Sequence, residues 1–140
     1  MGVLSYSPLA GGWLSGRWRK DSGQQASPRA SRLPEPFDLS QPANQRKLEA
    51  VEEVAQLADD TGITLIQMAI AFVLTHPGIT SAIIGPRTMD QLEGQLAATD
   101  VVLEADVLDR IDQIVAPGTT INPVDNSFDN PALAPAARRR

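Results

Sequence analysis

Ser81-Ala82-Ile83-Ile84-Gly85-Pro86-Arg87-Thr88-Met89-Asp90-Gln91 is the stretch from which the architecture of this 140-residue chain is read. Its first four residues form a short apolar run bounded by Gly85 and Pro86. That run is too short for a helix and suits a strand buried on both faces. Thr88 and Gln91, three positions apart, have the form of a capping box, so a helix begins as soon as the strand ends and carries Leu92, Leu96 and Ala97 inward. A strand delivered straight into a helix is the working part of a β/α unit.

Working outward, the pattern repeats. Thr64 and Gln67 form a second capping box, followed by an apolar helix through Met68, Ala69, Ala71, Phe72 and Leu74 that ends at His76-Pro77-Gly78. Residues 44–60 place Leu48, Val51, Val54, Ala55, Leu57 and Ala58 on one side, with Glu49, Glu52, Glu53 and Gln56 largely on the other, until Gly62 stops them. On the far side of the opening stretch, Val107, Leu108, Ile111, Ile114 and Val115 mark a last amphipathic helix stopped by Pro117 and Gly118. At the other end, residues 3–9 have β character and read as a short buried strand emptying into a loop with Gly11, Gly12 and Gly16. Residues 20–42 are rich in Pro, Ser and Arg and show no sustained period, which predicts a long loop. Two strands separated by helical stretches, without hairpin signals, predict parallel β/α units. A closed eight-stranded barrel takes about 250 residues, so this chain can supply only part of one.

Composition removes several classes of function. The chain has no cysteine, which excludes disulfides, thiolate nucleophiles and thiolate metal sites. With a single histidine, His76, and no carboxylate cluster at helical or hairpin spacing, no metal site is predicted. The net charge of −5 argues against a nucleic-acid partner. No apolar run approaches the roughly 18 residues of a membrane span, and no signal peptide is legible, so no membrane partner and a cytoplasmic location are expected. The basic residues are unevenly placed: Arg17, Arg19, Lys20, Arg29 and Arg32 lie in the first quarter, while Arg138, Arg139 and Arg140 read as a solvated tail.

Two strand exits carry the candidate chemistry. In Tyr6-Ser7-Pro8-Leu9-Ala10-Gly11-Gly12-Trp13-Leu14-Ser15-Gly16-Arg17, glycines let backbone amides approach a phosphate, serines add hydroxyl donors, and Arg17 brings a charge that can grip a pyrophosphate. The same residues suit a tight strand-to-loop turn equally well. In the opening stretch, Arg87 stands at a helix N-terminus, where the dipole and free amides favour an anion, and Gln91 faces the same way one turn on. There too a plain helix cap beside a solvated arginine accounts for the residues.

Taken together and in order, Tyr6-Ser7-Pro8-Leu9-Ala10-Gly11-Gly12 with Gly16-Arg17, the helix from Thr64, and Ile84-Gly85-Pro86-Arg87-Thr88 with Gln91-Leu92 resemble the C-terminal half of the aldo-keto reductases. The resemblance covers residues 2–115. It implies that Tyr6 stacks on a nicotinamide ring, that Ser7, Pro8, Leu9, Ala10 and Gly11 line a pyrophosphate, and that Arg17 contacts phosphate. It further implies that Gly85, Arg87 and Gln91 hold the adenosine end, with Arg87 against a 2′-phosphate, a choice that favours NADP(H) over NAD(H). Where many members have Glu then Asn, this chain has Gly94 and Gln95; Gln95 retains an amide, whereas Gly94 offers no side chain. Arg29 or Arg32 could also reach the cofactor from the long loop.

The family's catalytic Tyr, Lys, Asp and His come from earlier barrel strands, and none of those motifs is found here, so no catalytic residue is assigned. Tyr6 is the only tyrosine, Lys20 and Lys47 fall in a loop and at a polar helix start, and His76 closes a helix. The expected fold is therefore α/β, a partial (β/α)8 TIM barrel holding the last two parallel strands and their helices over residues 1–116, with residues 117–140 a flexible tail. The expected function is that of an NADP-dependent aldo/keto reductase fragment, inactive alone, whose parent reaction reduces a small-molecule carbonyl by hydride transfer. The alternative is a non-catalytic cofactor-sensing or interaction subunit that completes a barrel with another polypeptide. Incomplete barrel edges are expected to promote association.

Overall fold

A computed structural model describes residues 2–22 and 27–125. In chain order it contains β1 (Leu4–Tyr6), α1 (Pro28–Arg32), α2 (Pro42–Asp60), α3 (Leu65–Thr75), β2 (Ser81–Ile83), α4 (Met89–Leu96) and α5 (Ala105–Ile114). Short 3-10 turns lie at Ala10–Gly12, Lys20–Ser22, Glu35–Phe37, Ala97–Asp100 and Pro123–Asp125. Among the described residues no single helix is long and apolar enough to cross a membrane.

β1 and β2 pair in parallel, as the absence of hairpin signals predicts, with Leu4 opposite Ser81, Ser5 opposite Ala82 and Tyr6 opposite Ile83. The connection between them runs through α1, α2 and α3, and α3 packs against β2. Side chains alternate along a strand. Ser5 and Ala82 are accordingly half-buried toward the helices, while Leu4, Tyr6 and Ile83 stand on the opposite face at 63, 78 and 52 % exposure. This corrects the expectation of buried strands. Their apolar character requires a cover on both faces, and the described residues supply it on one.

Two apolar cores flank α2. Val51 and Ala55 join Trp13, Trp18, Phe37 and Leu65 in one, and Leu57 and Ala58 join Met68, Ala71, Leu103 and Val107 in the other. The first is aromatic: ring centroids lie 4.8 Å apart for Trp13–Trp18, 5.6 Å for Trp13–Phe37 and 5.3 Å for Trp18–Phe37, in tilted and stacked pairs. Such pairs add about 0.5–1.5 kcal/mol each to the area they bury. The helix boundaries follow their local signals. Pro42 takes the first turn of α2, where its missing N–H costs nothing, and Gly62 past the end adopts φ 73°. Thr64 and Gln67 make both bonds of the capping box that opens α3.

Several expectations are revised. The described residues within 20–42 are not structureless: Ser27 accepts a hydrogen bond from the Ala30 amide (3.0 Å) to cap α1, and Phe37 plugs the aromatic core. A five-residue helix is too short to display a period in sequence. In α4 the inward positions are half-buried Leu92 and buried Gln95, followed by Ala98, while Leu96 is half exposed. Its N-terminal box also closes differently, with the Gln91 side-chain oxygen accepting from the Arg87 amide (2.9 Å) rather than from Thr88. Past residue 116, buried Asn122 donates to Asn44 Oδ1 (2.8 Å) and Asp125 pairs with Lys47 (2.9 Å). Residues 126–140, including Arg138, Arg139 and Arg140, lie outside the described residues.

Candidate functional site

Because β1 and β2 are parallel and in register, they finish at the same edge of the sheet. Ser7 follows Tyr6 and Ile84 follows Ile83, so the two strand exits singled out in the sequence leave side by side. Neighbouring strands are about 4.8 Å apart, and ligands of open α/β sheets bind at such carboxyl edges.

The first exit folds into a tight coil. Gly12 donates to the Leu9 carbonyl (2.8 Å), Ala10 to that of Ser7 (2.9 Å), and the Ser15 hydroxyl to that of Gly12 (2.6 Å). Ser7 and Ala10 hold φ of 59° and 48°, beside Gly11 at 69° and Gly12 at 109°. A left-handed conformation costs a non-glycine residue about 1–3 kcal/mol, strain that persists only where surroundings impose it. The surroundings here are the aromatic core, which buries Trp13 directly after the coil. Tyr6 presents its ring on the helix-free face; Ser7 and Ala10 are exposed, and Pro8, Leu9 and Gly11 are half-buried. Arg17 stands exposed at the loop's far end, past Gly16 at φ 80°.

Of the two arginines left open in the long loop, Arg29 is the one brought to the coil. A methyl group at Gly11 would lie 3.3 Å from Arg29 Nε and 3.6 Å from its Cζ. The guanidinium therefore lies over the Gly11 backbone, whereas a methyl at Gly12, Gly16 or Gly85 would meet nothing within 4 Å. Ser27-Pro28 was the available signal, since Ser at the cap and Pro at the first helical position mark the short helix that fixes Arg29. Arg19 is committed elsewhere. Its guanidinium makes bidentate bonds of 2.8–3.1 Å to Glu52, which raise its pKa and hold the Glu52 carboxyl below the usual carboxylate range, helped by the Lys20 amide.

At the second exit, Arg87 is exposed and its amide donates to Gln91, while Thr88 Oγ1 accepts from the Gln91 amide at 3.3 Å. Gly85, Arg87 and the first turn of α4 thus share the edge with the coil. The Gln91 oxygen is used internally, which leaves its NH2 as the end that can donate outward. Gln95, one turn deeper along α4, is buried at 7 % exposure. Glycine backbone, open space at Gly12, Gly16 and Gly85, and an arginine at each strand exit suit an extended polyanion such as a dinucleotide.

Comparison with known proteins identifies relatives of the chain by sequence. The model of the aldo/keto reductase family matches residues 1–116. An uncharacterized oxidoreductase, YrpG, of Bacillus subtilis (strain 168) is 31 % identical over 114 residues, covering 81 % of this chain and 32 % of that protein. A probable voltage-gated potassium channel subunit beta of Arabidopsis thaliana is 33 % identical over 124 residues, covering 82 % of this chain and 35 % of its own length. One of the same description from Oryza sativa subsp. japonica is 29 % identical over the same shares. The chain thus spans about a third of the length of the curated relatives it matches.

Proposed function

The chain belongs to the aldo/keto reductase family, and we propose that it is the C-terminal, cofactor-gripping part of such a barrel, binding NADP(H) along the shared edge of β1 and β2. The observation that carries this reading is the adjacency of the two strand exits, which lets one dinucleotide touch both. Tyr6 stacks on the nicotinamide, Ser7, Pro8, Leu9, Ala10 and Gly11 with Arg17 and Arg29 take the pyrophosphate, and Gly85, Arg87 and Gln91 take the adenosine end. Arg87 meets the 2′-phosphate, so NADPH is preferred to NADH. Gln95 makes its contact only if α4 shifts.

When bound, the nicotinamide supplies the hydride that reduces an aldehyde or ketone. What the described residues lack is the acid–base group that would deliver the accompanying proton. Tyr6 occupies the stacking place, Lys47 is bonded to Asp125 and the Pro36 carbonyl, and His76 Nδ1 accepts from the Gly78 amide at 3.1 Å. Without a hydrogen-bonded acid–base pair at the edge, the chain alone binds cofactor and does not turn over a carbonyl.

Titration of the whole chain with NADPH and NADH, followed through the emission of Trp13 and Trp18, tests this. NADPH should bind the tighter by about tenfold or more, and Arg87→Ala should erase the difference. Equal NADPH affinity of variant and parent would remove the 2′-phosphate role. A second reading, a non-catalytic interaction subunit, draws on the relatives described as channel subunits beta and on the exposed face of β1 and β2. It differs in one measurable respect: carbonyl reduction stays absent even after the barrel is completed by a polypeptide carrying the family's leading strands.

A further inference from the structure

The coil after β1 is held from beneath by a group that joins distant parts of the chain. Trp13, the residue that anchors the coil, is buried, yet its indole Nε1 has no hydrogen-bond partner. Its position is therefore fixed by what lies on its faces: Trp18, Phe37, and the Lys47 ammonium 4.6 Å from the ring centroid. Lys47 is itself 7 % exposed and reaches that place through bonds to the Pro36 carbonyl (2.8 Å) and to both oxygens of Asp125 (3.1 and 2.9 Å). A buried ammonium is tolerated only while paired and fully hydrogen-bonded. Immediately before the 3-10 turn at Pro123–Asp125, the same segment is tied down a second time. Asn122 donates to Asn44 Oδ1 (2.8 Å), and Asn44 Nδ2 donates to the Glu35 and Asp38 carbonyls (both 2.9 Å) around buried Phe37.

From this arrangement we infer that Asp125 is a positioning residue for the anion-binding coil: it holds the Lys47 ammonium against Trp13, and Trp13 holds the strained turn at Ser7, Ala10, Gly11 and Gly12 in its binding form. The segment around Asn122 and Asp125 thus supports the coil indirectly, through Lys47 and Trp13. Removing the Asp125 charge leaves Lys47 buried and unpaired, so the ammonium withdraws toward water, the cation–π contact opens, and the left-handed residues relax.

The assignment of an anion to the coil rests on the function proposed above, and the test separates the two. Amide hydrogen exchange on the ligand-free chain should show Asp125→Asn accelerating residues 9–16 by about fivefold while leaving α3 and β2 unchanged, with Asp125→Glu restoring protection. NADPH titration of the same variants should show affinity lowered by a similar factor for Asp125→Asn and rescued by Asp125→Glu. Exchange in residues 9–16 that matches the parent, or acceleration spread evenly over the chain, overturns the inference whether or not NADPH binds. Local acceleration in a chain whose parent binds no NADPH upholds the strut and instead contradicts the proposed function.

Discussion

Gly11 carries two constraints at once. Its φ of 69° lies where a Cβ is unfavourable, and that Cβ would also come within 3.3 Å of Arg29 Nε. Gly11→Ala should therefore cost about 1–2 kcal/mol in urea unfolding and displace the guanidinium. Gly12→Ala meets open space and should show the backbone cost alone, so on the proposed reading the two variants separate in pyrophosphate affinity, not in stability. Glu52 supplies a different kind of test. Hydrogen bonds from Arg19 and from the Lys20 amide, with desolvation opposing them, lower its carboxyl pKa below the ordinary 4.5. As pH falls the unfolded chain takes up this proton first, so the stabilisation is whole above about 4.5 and is lost as pH drops through the folded value. Glu52→Gln should lower stability at pH 7 by about 1 kcal/mol, since the pair is only partly buried. It should also flatten the stability profile at acid pH, and a profile parallel to the parent's between pH 5 and 3, in about 0.5-unit steps, would remove the linkage.

At the scale of elements, the Thr64–Gln67 box is the cleanest local device. Thr64→Ala removes the acceptor for the Gln67 amide and should cost about 1 kcal/mol, read as a shifted denaturation midpoint with unchanged slope. This box was legible in sequence because both partners lie within one turn, and the parallel pairing was legible because helices separate two apolar runs. Arg29 over Gly11 was half legible: its charge stood out, but the choice between it and Arg32 depends on a five-residue helix that shows no period. The apolar pattern of α4 points inward at Leu96, whereas the buried position is Gln95, whose amide looks polar in a hydrophobic pattern. Lys47 reads in sequence as a polar helix start, and its pairing with a carboxylate 78 residues away has no local signature. Contacts made across the fold are specified by packing, which a linear pattern does not encode.

For the molecule as a whole, the unusual feature is the face bearing Leu4, Tyr6 and Ile83, joined along a sheet whose two strands each have one unpaired edge among the described residues. A two-stranded sheet is marginal by itself, and contiguous apolar strands with open edges invite pairing. Covering those three side chains would stabilise an assembly by about 1 kcal/mol or more apiece. Sedimentation velocity on the isolated chain should accordingly show concentration-dependent association that Leu4→Lys with Ile83→Lys suppresses. Those positions do not contribute to either core, so the helical signal and the Trp13–Trp18 emission should stay intact in the double variant. If the face belongs to the interior of a closed barrel, a polypeptide carrying the family's leading strands should compete with self-association for the parent and fail to do so for the double variant. Self-association that survives both lysines would place the contact elsewhere, such as at exposed Val102 in the loop before α5.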